Sequence, residues 1–124
     1  MEIKKILVVD DEETIRSLFK TIFERMYKGK YQVSIVKSGK EAIKKLKEEN
    51  FDVVFTDILM PEMDGLDTLK ALKEIKPDIV AIMMTGLIDE DKRETAMKLG
   101  AVDYLHKPFE LSELITVLDK LTQM

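Results

Sequence analysis

Short apolar runs alternate with amphipathic segments along the whole chain. Most of these runs are continuously apolar rather than alternating, which is typical of strands covered on both faces of a parallel sheet. The predicted strands are residues 5–9, 32–36, 53–56, 79–84 and 103–106. Because no linker, repeat or low-complexity tract interrupts the alternation, we expect a single domain over residues 1–124.

Between the strands, apolar residues spaced three and four positions apart predict helices. The first helix has a strong pattern, and we expect its buried face to comprise Ile15, Leu18, Phe19, Ile22, Phe23 and Met26. Ser38 and Glu41 are spaced as a capping box that opens the second helix. The fourth helix has only Ala96, Met97 and Leu99 to bury, so we expect it to be the least firmly anchored.

The order of the elements predicts the fold class. Parallel strands joined by helices make right-handed crossovers, and crossovers on both faces produce a doubly wound sheet. We therefore expect an α/β, flavodoxin-like fold: a five-stranded parallel sheet of order 2-1-3-4-5 with helices on both faces. Ligands of such a sheet bind at the carboxyl ends of its strands.

Composition excludes several classes of function. With no Cys and a single His, the chain has neither a disulfide framework nor the ligands of a zinc site. The net charge of -4 gives no general attraction to nucleic acid or anionic membranes, so we expect neither as a partner. The first apolar run is too short for a signal peptide or a membrane span, and we expect a soluble cytoplasmic protein.

The candidate chemistry follows the predicted strands. Asp10 and Asp11 follow the first strand, Asp57 the third, Thr85 the fourth and Lys107 the fifth. Each could be a helix cap, a turn residue or a solvated side chain. Because the carboxyl ends of parallel strands share one edge, we expect all of them in one cleft. Three carboxylates together require a cation, and oxygen ligands select Mg²⁺ or Ca²⁺, of which Mg²⁺ suits an open cleft that also receives a phosphate.

These residues resemble the receiver domains of two-component response regulators, over essentially the whole chain. The shared motifs are Val-Val-Asp-Asp-Glu at 8–12, Thr-Asp-Ile-Leu-Met-Pro-Glu-Met-Asp-Gly at 56–65, Met-Thr-Gly at 84–86 and Asp-Tyr-Leu-His-Lys-Pro-Phe at 103–109. The resemblance implies a signalling switch rather than a metabolic enzyme. Its acceptor would be Asp57, phosphorylated by a sensor histidine kinase, a phosphotransfer protein or a small phosphodonor.

The resemblance also implies roles for the surrounding residues. Mg²⁺ would be held by Asp10, Asp11, Asp57 and the backbone carbonyl of Leu59. Lys107 would pair with Asp57 and then with the phosphate, through a cis peptide bond to Pro108. Thr85 and Tyr104 would form a switch pair. A side chain at Gly86 would crowd the phosphate, although a glycine required by the turn explains this residue equally well. The surface that changes would be the fourth helix, the fifth strand and the fifth helix.

Two further expectations concern duration and assembly. Leu59 and Leu87 occupy the positions that flank the attacking water in this family, so we expect slow self-dephosphorylation, unless both leucines only cover the core edge. Residues 111–124 contain no Arg, and Val102 precedes Asp103 where a second acid would support a symmetric dimer. We therefore expect a monomer or a weak dimer.

A Mg²⁺-dependent phosphatase with an aspartyl-phosphate intermediate is the alternative function. Haloacid-dehalogenase enzymes place a second Asp two residues after the nucleophile, where this chain has Leu59.

The lone His106 lacks the helical setting of a phosphotransfer histidine. Because Met124 directly follows the fifth helix, we expect no effector domain in this chain, either as a stand-alone regulator or as part of a longer one. The downstream partner stays open.

Overall fold

A computed structural model describes residues 3–58, 63–86 and 89–123. Its strands are β1 (Lys5–Val9), β2 (Gln32–Val36), β3 (Val53–Asp57), β4 (Val80–Thr85) and β5 (Ala101–His106). Its helices are α1 (Glu13–Arg25), α2 (Gly39–Glu48), α3 (Gly65–Ile75), α4 (Glu90–Lys98) and α5 (Leu111–Thr122). All the predicted elements are present. The β3 strand ends one residue later than predicted, at Asp57, the β4 strand begins and ends one residue later, and β5 begins two residues earlier, at Ala101.

The strands form one parallel sheet in the order β2-β1-β3-β4-β5. The predicted doubly wound α/β fold is therefore confirmed. At the carboxyl edge, Val9 pairs with Thr56, Asp57 with Met84, and Thr85 with His106. Successive strands thus end at the same level, and the residues that follow them share one rim of the sheet.

A hydrophobic core lies on each face of the sheet. One contains Phe19 of α1 and Leu114 of α5, and the other contains Ala42 of α2, Leu69 of α3 and Ala96 of α4. The side chains of β1 alternate between the two cores, since they point to opposite faces of the sheet. Burial on both sides explains why the strands are continuously apolar. Within the described ranges, no helix is long and apolar enough to cross a membrane.

Two of the predicted core residues are exposed instead. Met26 is 48% exposed because it lies at the C-cap of α1, where Tyr27 and Tyr31 pack against the core in its place. Met97 is 42% exposed, and Ala96 is the buried residue of α4. The expectation that α4 would be weakly anchored is in agreement with this burial.

The start of α2 differs in detail from a capping box. Ser38 Oγ accepts a hydrogen bond from the Glu41 backbone N–H at 3.2 Å, as expected. The Glu41 carboxylate accepts from the backbone N–H of Lys37, at 2.9 Å, rather than from that of Ser38. The reciprocal bond therefore reaches one residue further back than the sequence pattern predicts.

Candidate functional site

The carboxyl rim of the sheet brings four of the predicted site residues to one place. Asp10 follows β1, Asp57 ends β3, Thr85 ends β4 and Lys107 follows β5. All four are buried, with exposed fractions of 0%, 4%, 0% and 7%. Charged residues are seldom buried to this degree unless they are paired. This burial indicates that the charges of the rim compensate one another.

Lys107 supplies the compensating positive charge. Its Nζ atom donates a hydrogen bond to Asp57 Oδ2 at 2.7 Å. The same atom forms ion pairs with Asp10 Oδ2 at 2.6 Å and with Glu12 Oε1 at 3.1 Å. One ammonium group therefore bridges carboxylates from the ends of two neighbouring strands.

Burial and pairing act in opposite directions on these charges. Burial would lower the pKa of Lys107, but its contacts with Asp10 and Asp57 outweigh burial, and the pKa lies above its ordinary value. Burial raises the pKa of Asp10, although the contact with Lys107 and the hydrogen bond from the Glu12 backbone N–H oppose that rise. Lys107 is therefore held firmly in its charged form, whereas Asp10 is a carboxylate whose charge burial disfavours.

The acidic residues at this rim fit a divalent cation. Asp10, Asp11, Glu12 and Asp57 each offer a carboxylate oxygen, and these oxygens all lie within 4.8 Å of one another. Asp10 Oδ2 is buried and has no hydrogen bond among the described residues, but it lies 2.6 Å from the Lys107 ammonium, so a cation would replace that ion pair. Carboxylate oxygens are the ligands that Mg²⁺ and Ca²⁺ prefer. Leu59, the fourth predicted ligand, lies outside the described residues, as does Leu87.

Glu12 is the residue of this rim that sequence reasoning missed. It lies in the motif at 8–12, where it was read only as the residue after an acidic pair. Its side chain reaches Lys107, which is 95 positions away in the sequence. A third consecutive acid directly after β1 was the available signal, although such a residue is commonly just the start of a helix.

The simpler structural roles explain only part of this arrangement. Asp10 Oδ1 accepts from the Glu12 backbone N–H at 2.8 Å, which shapes the turn into α1. Thr85 is not the cap of α4, because Asp89 takes that position and its side chain accepts from the Lys92 backbone N–H. The Lys107 backbone N–H instead donates to Thr85 O at 2.8 Å, which ties the ends of β4 and β5 together.

Tyr104 lies on β5, beside α4. It is half-buried and packs against the core on the α2–α4 face. The Arg93 Cζ atom lies 5.6 Å from the centroid of its ring. Burial raises the pKa of Tyr104, and the charge of Arg93 opposes this rise. Two residues further along the strand, His106 is exposed and pairs in register with Thr85.

Gly65 and Gly86 lie beside the site, and the space for a side chain differs between them. A Cβ atom on Gly65 would lie 2.1 Å from Asp57 O and 2.4 Å from Ile58 Cα, so only glycine lets α3 begin so close to the end of β3. A Cβ atom on Gly86 would meet Lys107 O at 3.8 Å, an ordinary contact. The fold thus requires Gly65 but tolerates a side chain at position 86. The predicted cis bond between Lys107 and Pro108 is present.

Comparison with known proteins places this arrangement in context. Residues 6–119 match the family described as "Response regulator receiver domain". The chain is 42% identical over 110 residues to the response regulator SaeR of Staphylococcus epidermidis, covering 89% of this chain and 46% of that protein. It is 38% identical over 116 residues to the transcriptional regulatory protein ZraR of Escherichia coli (strain K12), covering 93% of this chain and 25% of that protein.

A solved structure shares the whole fold. The CheY-like response regulator receiver domain protein from Methanospirillum hungatei JF-1 superposes with a TM-score of 0.87 and 30% identity, over 98% of this chain and 95% of that one. The chain therefore spans nearly all of this compact protein. It spans about half of SaeR and about a quarter of ZraR.

Proposed function

This chain belongs to the response regulator receiver domain family, and on that premise we propose that it is a signalling switch whose Asp57 accepts a phosphoryl group in a Mg²⁺-dependent reaction. The assignment of residues 1–124 to a single receiver domain is part of the proposal. One observation carries it: Asp57 is a buried carboxylate paired at 2.7 Å with Lys107 and lying within an acidic cluster suited to a divalent cation.

The chemistry is nucleophilic substitution at phosphorus. A carboxylate oxygen of Asp57 attacks the phosphorus atom of the donor, and a new O–P bond forms. The bond from phosphorus to the donor breaks, and its electron pair leaves with the donor, which is the imidazole nitrogen when a phosphohistidine is used. Lys107 Nζ, already hydrogen-bonded to Asp57 Oδ2, orients the carboxylate and then remains beside the anionic product.

The cation would be held by Asp10, Asp11 and Asp57, with the Leu59 carbonyl as a further ligand. When bound, Mg²⁺ neutralises the clustered carboxylates and the negative charge of the phosphoryl oxygens. The buried Asp10 oxygen that lacks a hydrogen bond supports this part of the proposal. Asp11 is exposed, so it lies on the side of the cluster from which solvent and a cation arrive.

Thr85 and Tyr104 transmit the change in charge. Thr85 is joined through its backbone carbonyl to the backbone N–H of Lys107, the residue whose side chain pairs with Asp57, and this supports its role. Tyr104 lies on β5 together with His106, which pairs with Thr85 in the sheet. The ring of Tyr104 contacts Arg93 of α4. Phosphorylation would therefore alter the surface of α4, β5 and α5 by shifting the population of two arrangements.

The partners follow from this role. The phosphodonor is a sensor histidine kinase or a phosphotransfer protein, and the output is the binding of another protein or of an effector domain. ZraR and SaeR are longer proteins than this chain, so a covalently joined effector and a separate target are both compatible with the same switch. A monomer or weak dimer remains our expectation, because Lys120, the one basic residue of α5, already lies 3.9 Å from Asp103 of the same chain.

Covalent labelling tests the acceptor. Acetyl phosphate with Mg²⁺ should add one phosphoryl group per chain, detectable by intact mass, and the adduct should be absent in Asp57→Ala. Asp119→Ala, which removes an exposed aspartate of α5, is the matched control and should label fully. Full labelling of Asp57→Ala would show that the acceptor is another residue.

The same measurement separates the switch from a phosphatase. A switch accumulates a stable stoichiometric adduct on Asp57. A phosphatase would instead turn over aryl phosphates continuously while the label fails to accumulate. Omission of Mg²⁺, or its chelation, should abolish labelling in the parent protein if the cation acts as proposed.

A further inference from the structure

Lys107 contacts the two buried carboxylates that a cation would also need. Its Nζ atom lies 2.6 Å from Asp10 Oδ2 and 2.7 Å from Asp57 Oδ2. Both residues belong to the acidic cluster of the rim. Because like charges repel at such separations in a buried site, a divalent cation bound by Asp10 and Asp57 would compete with the ammonium group for these carboxylates. Lys107 would then give up its contact with Asp10 Oδ2 and keep its place beside Asp57.

Glu12 provides the remaining contact of the ammonium group. Its Oε1 atom accepts a hydrogen bond from Lys107 Nζ at 3.1 Å. The Glu12 side chain is 53% exposed, whereas that of Asp10 is 0% exposed, so this contact lies at the outer side of the cluster. Glu12 is also the N-cap residue of α1, but its side chain makes no capping hydrogen bond. A capping hydrogen bond therefore does not account for the carboxylate, which the helix dipole alone would favour at this position.

We propose that Glu12 is a positioning residue that receives the Lys107 ammonium group when a divalent cation binds Asp10 and Asp57. This inference rests on the proposed function, because it concerns the same cation. The cation gives the buried Asp10 Oδ2 atom, which has no hydrogen bond among the described residues, a ligand in place of the ammonium. Glu12 gives the ammonium an anionic partner in exchange, so Lys107 stays beside Asp57.

Cation affinity measured in a double-mutant cycle tests this role. The dissociation constant for Mg²⁺ is measured by calorimetry in the parent, Glu12→Gln, Lys107→Met and the double variant. Glu13→Gln is the matched control. It also removes one negative charge, but Glu13 directly follows Glu12 and is not part of the acidic cluster. Thermal unfolding of each variant verifies that it is folded.

We expect the effect of Glu12→Gln on Mg²⁺ binding to depend on the presence of Lys107. Glu12→Gln should weaken Mg²⁺ binding by about three-fold more than Glu13→Gln, the size expected for a partly exposed ion pair. Lys107→Met should bind Mg²⁺ more tightly than the parent, because the competing ammonium is gone. In that background, Glu12→Gln should have no larger effect than Glu13→Gln.

Other results overturn the inference in distinguishable ways. If Glu12→Gln weakens Mg²⁺ binding equally in both backgrounds, Glu12 is a ligand of the cation rather than a partner of Lys107. If the dissociation constant of Glu12→Gln for Mg²⁺ equals that of the parent or is lower, Glu12 does not receive the ammonium. Either result, with full labelling of Asp57 in the parent, leaves the proposed function standing. A parent chain that binds no Mg²⁺ would overturn both.

Discussion

The guanidinium group of Arg93 on α4 lies over the ring of Tyr104 on β5, with its Cζ atom 5.6 Å from the ring centroid. Stacking of this kind is favourable because the face of an aromatic ring attracts a cation. The α4 helix buries only Ala96 in the core, and this contact is a further link between α4 and β5. The position of α4 and the orientation of Tyr104 are therefore coupled through Arg93.

Arg93→Ala should weaken this coupling. We expect the free energy of unfolding to fall by about 0.5–1 kcal/mol, the size of an exposed cation–π contact. In a Tyr104→Leu background the same substitution should have a smaller effect, which chemical denaturation measures. Lys98→Ala, on the same exposed helix, is the control. Equal losses in both backgrounds would show that Arg93 stabilises the protein without Tyr104.

Activation should change α4, β5 and α5 more than the rest of the chain. Beryllofluoride with Mg²⁺ is expected to alter amide hydrogen exchange there, since α4 has few buried contacts and Tyr104 lies beside it. Exchange is followed by mass spectrometry with and without beryllofluoride, and Asp57→Ala should show no difference. Changes restricted to α2 and α3 would contradict the assignment of the switch surface.

The lifetime of the phosphorylated state should depend on Leu59 and Leu87. Apolar side chains at these positions offer no hydrogen bond to an attacking water, so we expect slow hydrolysis. Leu59→Asn, Leu87→Glu and the double variant should lose phosphate faster, by roughly ten-fold. Phosphate release is followed after removal of the donor. Variants that remain folded but decay no faster would show that the leucines only cover the core edge.

The two glycines beside the acceptor should respond differently to alanine. Gly65→Ala should destabilise the chain by about 1–3 kcal/mol, because its Cβ atom would overlap the backbone at Asp57 and Ile58. Gly86→Ala should leave the free energy of unfolding nearly unchanged and slow labelling by crowding the phosphate. Thermal unfolding and labelling by acetyl phosphate separate the two effects. Normal labelling of Gly86→Ala would mean that position 86 does not border the phosphate.

Stability in acid should depend on Asp52. Its Oδ2 atom accepts hydrogen bonds from the backbone N–H groups of Lys4 and Lys5, at 2.9 Å and 3.0 Å. Burial would raise the pKa of Asp52, but these bonds and nearby lysines outweigh it and hold the pKa below its ordinary value. Because the pKa of Asp52 is lower in the folded state than in the unfolded state, the charge of Asp52 stabilises the fold at pH values above the ordinary aspartate range. This stabilisation is lost as the pH falls through the folded pKa.

Asp52→Asn should therefore lower the free energy of unfolding at pH 7 by about 1 kcal/mol. The difference from the parent should shrink at an acidic pH below the ordinary aspartate range, such as about pH 3, because the parent loses the same charge as the pH falls through its lowered pKa. Urea denaturation at both pH values measures this difference, with Asp119→Asn as the exposed control. A difference that stays constant with pH would mean that the charge of Asp52 contributes nothing.

Much of the fold and part of the site could be read from the chain alone. Continuously apolar strands and helical periodicity predicted the elements and a parallel sheet covered on both faces, because burial on both faces leaves a regular signal in the sequence. Asp10, Asp57, Thr85 and Lys107 could be placed together because parallel strands end at one edge. Met97 was misplaced, because it directly follows Ala96, the buried residue of α4, and neighbouring residues of a helix point in different directions.

The sequence by itself thus determined the elements, their order and the residues of the carboxyl rim, all of which depend on local periodicity and on strand direction. Tertiary structure decided which side chains touch. Lys107 and Glu12 are 95 positions apart, and no periodic signal relates the start of α1 to the segment after β5. The same holds for Arg93 above Tyr104. Such contacts arise from the packing of separate elements, because a hydrogen bond or ion pair requires two atoms within about 3 Å, a precision that strand order alone does not provide.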